Sequence, residues 1–370
     1  MLVWREHNRF TLLPEAANFL PAMFAALEQA ERYILVELYL MESGQLADRV
    51  IASLVDAARR GVTVCLLLDG FGSMGLSRHD RQRLQDGGVA LRFFNPLGWH
   101  SLTRNLSRDH RKIVLVDGRV AFVGGFGAVD EFLDAWYEIA VRAEGPVVAD
   151  WEALFRRLWA SRFTHGERKS LSPSLPEAPV SEPGGNMRGR VMMGRGYRYQ
   201  AIRLSLQFRV DNAQSRLWLC TPYFVPTLAL RKRLKRAARR GVDVRLLLPG
   251  GQNDHLSVRY ASQRFYAAML KAGVRIFEFQ PSFIHAKFVL ADDWSSIGSC
   301  NFDHWNLHWN LEANQEVDDA AFATEIGALF ERNFLLSDEV SASAWAGRSW
   351  YQRAREWLFG VFDGLLTRLK

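Results

Sequence analysis

His110-Arg-Lys112-Ile-Val-Leu-Val-Asp117 and His285-Ala-Lys287-Phe-Val-Leu-Ala-Asp292 are one pattern, H-x-K-x4-D, written twice in a chain of 370 residues. One copy offers an imidazole and an ammonium, an incomplete reagent. Two copies face to face offer a nucleophile, a general acid and a paired cationic cradle, a set suited to phosphodiester chemistry. On an extended strand residues i and i+2 share a face, so His110 projects with Lys112 and His285 with Lys287. Lysine brings three donors and a positive charge to non-bridging phosphate oxygens; histidine brings a nucleophilic nitrogen or a proton near neutral pH. Asp117 and Asp292 complete the motif set from which the catalytic residues are drawn. Five residues beyond the lysines, they fall on the opposite face of a regular strand, as structural groups at its end.

The duplication extends past the motifs. Ala57-Ala-Arg-Arg-Gly-Val62 recurs as Ala237-Ala-Arg-Arg-Gly-Val242, and Ala153-Leu-Phe155 echoes Ala328-Leu-Phe330. The order of elements is kept, so a domain is duplicated, not a short solenoid unit. Within each half strands alternate with helices. Residues 32–40 read as a strand, 45–60 as a helix stopped by Gly61, and 62–68 as a buried strand. Each H-x-K-x4-D reads as a strand with a turn after it, and Val120–Val123 as a hairpin partner. The expected fold is α/β: a sandwich with a mixed sheet in each of two pseudo-twofold halves and one shared active site. The boundaries predicted are 1–164 and 191–340 for the halves, 165–190 for a Pro/Ser/Glu/Gly-rich linker or surface loop, and 341–370 for a C-terminal amphipathic helix.

A catalytic imidazole needs an acceptor for its second nitrogen. Glu138 follows His110 by 28 residues and Glu312 follows His285 by 27, and the recurrence marks both as orienters. A glycine turn follows each motif: Gly124-Gly125-Phe126-Gly127 and Gly298-Ser299-Cys300-Asn301. Small residues let backbone approach a ligand, and Ser299 and Asn301 carry donors. The phosphate-binding set predicted is therefore Lys112, Lys287, Ser299, Asn301 and Gly125.

Composition narrows the partners. The net charge is +7, which favours an anion: nucleic acid, anionic lipid or a small phosphate ester. Cys65, Cys220 and Cys300 are far apart and odd in number, which points to buried thiols in a reducing compartment. No metal site is read: His304 and His308 lack a third placed ligand. No apolar run of eighteen residues occurs, so no spanning helix is expected, and the polar start lacks a signal core. Arg231 to Arg240 sets seven cations in ten residues, a solvated face or a headgroup patch. Trp350 to Lys370 reads as a basic amphipathic helix able to lie in a membrane interface.

The motifs resemble the phospholipase D superfamily, whose signature is H-x-K-x4-D-x6-G-[GS]-x-N in duplicate. The resemblance runs from about residue 10 to about residue 335. Within it the chain is most similar to bacterial cardiolipin synthases, on Asp109-His110-Arg-Lys112, Gly298-Ser-Cys-Asn301-Phe-Asp303, Asn310-Leu-Glu312-Ala-Asn314, Thr221-Pro-Tyr-Phe224 and Glu144-Gly-Pro146. The resemblance implies a phosphohistidine mechanism without metal or cofactor. His110 would be the nucleophile and His285 the acid/base, with Glu312 paired to His110 and Glu138 to His285. It implies transfer of a phosphatidyl group between two phosphatidylglycerols with release of glycerol. It further implies an anionic phospholipid partner, no nucleic acid, a monomer, and a peripheral place on the cytoplasmic side of the bacterial membrane. Hydrolysis, headgroup exchange, a nuclease of the same superfamily and a non-enzymatic membrane scaffold are the alternatives. Three departures stand out: Gly127 replaces an Asn, the gap from Asp292 to Gly298 is one residue short, and Asn306 replaces a frequent Ser.

Overall fold

Matching apolar runs in the two halves fold into two matching mixed sheets. A computed structural model describes residues 3–98, 105–166, 175–179, 182–195, 199–254, 256–302 and 310–349. In the first half the strands are β1 (Arg5–Pro14), β2 (Tyr33–Leu38), β3 (Thr63–Asp69), β4 (Ala90–Phe94), β5 (Ile113–Val116) and β6 (Val120–Gly124). They are followed by β7 (Trp136–Tyr137), β8 (Ile139–Glu144) and β9 (Thr164–Gly166). The second half has β10 (Met187–Arg195), β11 (Tyr199–Gln200), β12 (Arg216–Cys220), β13 (Asp243–Pro249) and β14 (Arg275–Phe279). It continues with β15 (Phe283–Ile284), β16 (Phe288–Ala291), β17 (Trp294–Gly298), β18 (Leu311–Asp318) and β19 (Ser337–Glu339).

The first sheet runs β9-β4-β3-β2-β5-β6-β8-β1, with β2, β3 and β4 parallel and the other pairings antiparallel. The second runs β19-β14-β13-β12-β16-β17-β18-β10 with the same pattern of directions, and β11 pairs back on β10. Strand β1 joins them, since Arg5 and Asn8 pair with β10 while Arg9 to Pro14 pair with β8. The α/β duplication expected from sequence is thus a pair of mixed sheets related strand by strand. Helices Gln45–Arg59 and Leu228–Arg239 cover equivalent outer faces. They stop before Gly61 and Gly241, at φ 89° and 92°, a left-handed turn that glycine takes without strain.

One apolar core lies between the sheets and unites the halves; two others lie under the outer helices. Helices Val147–Trp159 and Ala320–Leu335 supply much of the shared core, with Trp151, Phe155, Phe322 and Phe330 at most 1% exposed. Trp151 also donates from Nε1 to Gln315 Oε1 of β18 at 2.8 Å, a polar tie across the halves. Every position of β2 is buried, which is why its sequence is apolar without alternation. The segment 165–190 is partly strand, since β9 ends at Gly166 and β10 begins at Met187. Its residues Pro176 and Glu177 accept from Arg156 and Arg32, so this stretch lies against the first half. The C-terminal amphipathic stretch from Trp350 lies outside the described residues, as do His304, Asn306 and His308.

The motif aspartates clasp the sheets. Asp117 accepts from the backbone N–H groups of Glu31, Arg32 and Tyr33 at 2.8–2.9 Å. Asp292 accepts from Gln214, Ser215 and Arg216 at 2.9–3.1 Å. Both residues turn the chain with positive φ, 54° and 52°, where Asp is tolerated. Each side chain therefore fixes the start of the neighbouring strand, β2 or β12. This corrects their place in the catalytic set: they stand at the strand end away from His110 and His285. Asp292→Ala is expected to lower unfolding free energy by on the order of 2 kcal/mol, since three donors lose an ionised acceptor. Urea denaturation measures this. Activity per folded molecule should stay at the wild-type level, and a specific loss of turnover would count against a structural role.

Candidate active site

His110 and Lys112 precede the regular part of β5, and His285 and Lys287 precede that of β16. The motif is thus a strand only in its second part, because its first residues pair with the opposite half. Asp109 and Leu311 form a parallel bridge, and His110 N donates to Leu311 O at 2.9 Å. Strands β7 and β15 pair in parallel, Trp136 with Phe283 and Tyr137 with Ile284, and His285 N donates to Tyr137 O at 2.8 Å. The next residue along each pairing is a histidine opposite a glutamate. The two halves are therefore stitched together at the points where their chemistry meets.

The result is a crosswise pair of dyads. His110 Nδ1 lies 2.9 Å from Glu312 Oε1, and His285 Nδ1 lies 2.7 Å from Glu138 Oε2. Both glutamates are 1% exposed. With each Nδ1 held by a carboxylate, Nε2 is the ring nitrogen that can do chemistry, and at His285 it also has Lys287 Nζ beside it. Lys112 Nζ donates to His110 O at 2.5 Å. Lys287 Nζ donates to His285 O, sits 2.8 Å from the His285 ring nitrogens and lies 3.6 Å from Glu138 Oε2. His110, Lys112, His285, Gly125 and Asn301 line one cavity of about 320 Å³, with Tyr39, Phe132, Trp136, Tyr223 and Asp254 among the other walls. Asn301 is 2% exposed and its Oδ1 has no hydrogen-bond partner among the described residues, a spare polar group for a ligand.

Burial dominates the electrostatics. It pulls the His110 pKa well below the usual value, and Lys112, Lys287 and His285 pull the same way. Burial and then Lys287 take His285 down to about 4, with Glu138 opposing. Burial takes Lys112 down to about 7 against the attraction of Glu312. Burial also pushes Glu138 up, but Lys287 and His285 outweigh it and the carboxyl ends below its ordinary value. Burial thus favours neutral imidazoles and leaves the Lys112 ammonium near its titration point, and a bound anion would favour the protonated forms.

Two of the predicted phosphate contacts, Lys287 and Ser299, are not on the cavity wall, and Lys287 is fully buried with its Nζ against His285 and Glu138. Ser299 does not reach the cavity: its Oγ donates to Glu312 Oε2 and accepts from Ala313 N at 3.0 Å, so it orients the glutamate. Its counterpart Gly125 does border the cavity, and a Cβ there would lie 2.2 Å from Glu138 Oε2. The same motif position therefore serves a glutamate in both halves, by a hydroxyl in one and by space in the other. At Gly127 a Cβ would meet Leu40 O at 2.9 Å and Phe132 Cε2 at 3.0 Å. The Leu40 carbonyl and the Phe132 ring thus crowd this position, whereas Asn301 lines the cavity at the matching one, so the two walls differ.

Sequence reasoning passed over the aromatic walls. Tyr39 meets His110 edge-on at 4.9 Å, and Trp136 stacks on His285 at 4.8 Å. Trp136 stands two residues before Glu138, the one signal that could have found it. The buried pair of Arg111 with Glu37 Oε1 (2.8 Å) and Asp109 Oδ1 (3.0 Å) was also missed, because its members sit in unlike segments. Away from the cavity, the cation-rich helix Leu228–Arg239 spends Arg233 and Arg236 on Asp211, and Arg231 lies over the Phe265 ring. Among the described residues no group of three or more His, Cys, Asp or Glu side chains is placed to share a metal ion.

Known proteins give the family. Residues 23–159 and 207–334, the two sheets with their motifs, each match the domain described as "Cardiolipin synthase, PLD-like domain". The chain is 31% identical to the probable cardiolipin synthase YwiE of Bacillus subtilis (strain 168), over 97% of this chain and 72% of that one. It is 32% identical to cardiolipin synthase A of Pectobacterium atrosepticum, over 97% of this chain and 76% of that one. The fold is similar to that of the phosphatidylserine synthase of Haemophilus influenzae Rd KW20, with a TM-score of 0.75 at 14% identity, covering 97% and 93% of the two chains. A match that takes in both halves, both H-x-K-x4-D segments and the crosswise glutamates places this chain in the cardiolipin synthase family of phospholipase D-like proteins.

Proposed function

We propose that this chain joins two phosphatidylglycerol molecules into cardiolipin and glycerol, through a phosphohistidine on His110. The crosswise dyads in one cavity carry the reading. In the first step His110 Nε2 gives its lone pair to phosphorus. The bond to the leaving glycerol oxygen breaks, and that oxygen takes the Nε2 proton of His285. In the second step the acceptor hydroxyl bonds phosphorus and passes its proton to His285. The phosphorus–nitrogen bond then returns its electrons to His110. Lys112 and Asn301, which line the cavity, hold the non-bridging oxygens, and Lys287 adds positive charge from its buried place against His285. Glu312 and Glu138 orient the imidazoles and stabilise their charged forms. Both dyads come from one chain, so a monomer suffices.

No described helix is long and apolar enough to cross a membrane. The reading places the chain peripherally on the cytoplasmic face of a bacterial membrane, with anionic phospholipid and no nucleic acid as partner. The test is mass spectrometry of lipids after the purified protein meets vesicles of phosphatidylglycerol. Cardiolipin and glycerol in equal amounts support the reading. Phosphatidic acid alone, or no turnover, overturns it.

The ammonium of Lys112 gives a pH prediction. Its pKa of about 7 in the free protein means the charge is present below that pH and lost above it. A bound phosphodiester anion favours the charged form. The inhibition constant of a soluble, uncleavable phosphodiester analogue should therefore weaken above pH 7, by up to about tenfold per unit. Binding there should take up a proton, visible by calorimetry in buffers of different ionisation enthalpy. A constant affinity from pH 6 to 9 would remove Lys112 as the titrating contact.

A further inference from the structure

The two histidines stand in unlike surroundings. His285 lies under the Trp136 indole, centroids 4.8 Å apart with 27° between the planes. Phe132 meets the same imidazole edge-on at 5.7 Å, and Phe283 approaches at 5.9 Å. Among the described residues His110 has one ring neighbour, Tyr39, which meets it edge-on at 68°. An aromatic face attracts a cation laid over it, whereas an edge does not. The site therefore stacks an indole face on one imidazole, His285, and among the described residues stacks no ring on His110.

Support for a cation is needed at His285. The acid form of this ring must exist while buried, 2.8 Å from the Lys287 ammonium. Glu138 at 2.7 Å supplies one offset to that repulsion, and the indole face is the second. The indole is itself fixed. Its backbone pairs with Phe283, and its ring meets Phe132 at 5.1 Å and 81° and Phe283 at 5.7 Å and 77°. Because Trp136 comes from the first half and His285 from the second, the stack also sets the plane of the imidazole relative to His110.

We propose that Trp136 is a positioning residue that makes His285 the proton donor to the leaving alcohol, by holding its imidazolium under the indole face. The inference rests on the two-step transfer described above. It concerns only the proton that travels from His285 Nε2 to the departing oxygen. A leaving group that departs as a stable anion does not need that proton, so its release should be indifferent to Trp136.

The test compares two short-chain, soluble substrates: dihexanoyl phosphatidylglycerol and the matching phosphatidyl p-nitrophenyl ester. For Trp136→Leu, kcat/KM on the glycerol ester should fall about tenfold more than on the p-nitrophenyl ester. Trp136→Phe keeps a smaller face and should fall between the two. The ratio of the two rates cancels any difference in folded fraction. If the leucine variant turns over neither substrate, the phenylalanine ratio decides. A ratio equal to that of the wild type in the active variants overturns the proposal. A wild-type protein that forms no phosphoenzyme from either ester removes the transfer reading itself, and the two failures are thereby distinct.

Discussion

His110→Asn lowers cardiolipin formation by on the order of 10⁴-fold, the scale seen when the central imidazole of a nucleophile–acid pair is lost. Asparagine keeps roughly the volume and a hydrogen bond to Glu312, so the 2.9 Å contact has a substitute and the fold should stand. What disappears is the basic Nε2 lone pair of His110; the other imidazole on the cavity wall, His285, is already used as the proton donor. Asp254 is a carboxylate on the second-half side, and Lys112 is an ammonium at low pH. The double variant His110→Asn, His285→Asn should be no slower than the single one, because the two residues act in one step. Radiolabelled lipid should leave label on the wild-type protein during turnover and none on the single variant. Turnover above a few per cent of wild type by His110→Asn would place the nucleophile elsewhere.

The legible part of this molecule was the part written twice. Each repeat of H-x-K-x4-D carries its own check, and the recurrence of Ala-Ala-Arg-Arg-Gly-Val implied the paired sheets that the structure contains. The aspartates were legible as structural from strand alternation alone, although motif membership drew them into the catalytic set. What sequence left obscure is set by contacts between halves. The register of Trp136-Tyr137 on Phe283-Ile284 is a tertiary pairing of two short extended segments, and neither segment has a strong strand signal of its own. Ser299 was assigned to phosphate because a hydroxyl in a glycine turn is a donor. Only the structure shows that Glu312 already takes that donor. Gly127 read as a missing contact, yet the Leu40 carbonyl and then the Phe132 ring leave a Cβ no room there without a shift.

Glu138→Gln should be the more damaging of the two glutamate changes, by on the order of 10³- to 10⁴-fold against about 10²-fold for Glu312→Gln. Both amides can keep a hydrogen bond to the imidazole, so the comparison isolates the charge. Glu138 has two buried cations to balance when His285 is protonated: the imidazolium at 2.7 Å and Lys287 at 3.6 Å. Lys287 is fully buried, with burial already holding its pKa below the usual value against the pull of Glu138. Removing the carboxylate leaves that ammonium without its nearest counter-ion and makes the proton on His285 harder to hold. Glu312 faces a lighter task, because His110 is neutral when it attacks and is charge-compensated by the phosphoryl group once bonded. Ser299 would still orient the amide at 312 through its hydroxyl. Steady-state rates on phosphatidylglycerol for the two variants give the order directly. Equal losses would mean that the dyads share the proton work evenly, and a larger loss at Glu312 would exchange the roles of His110 and His285.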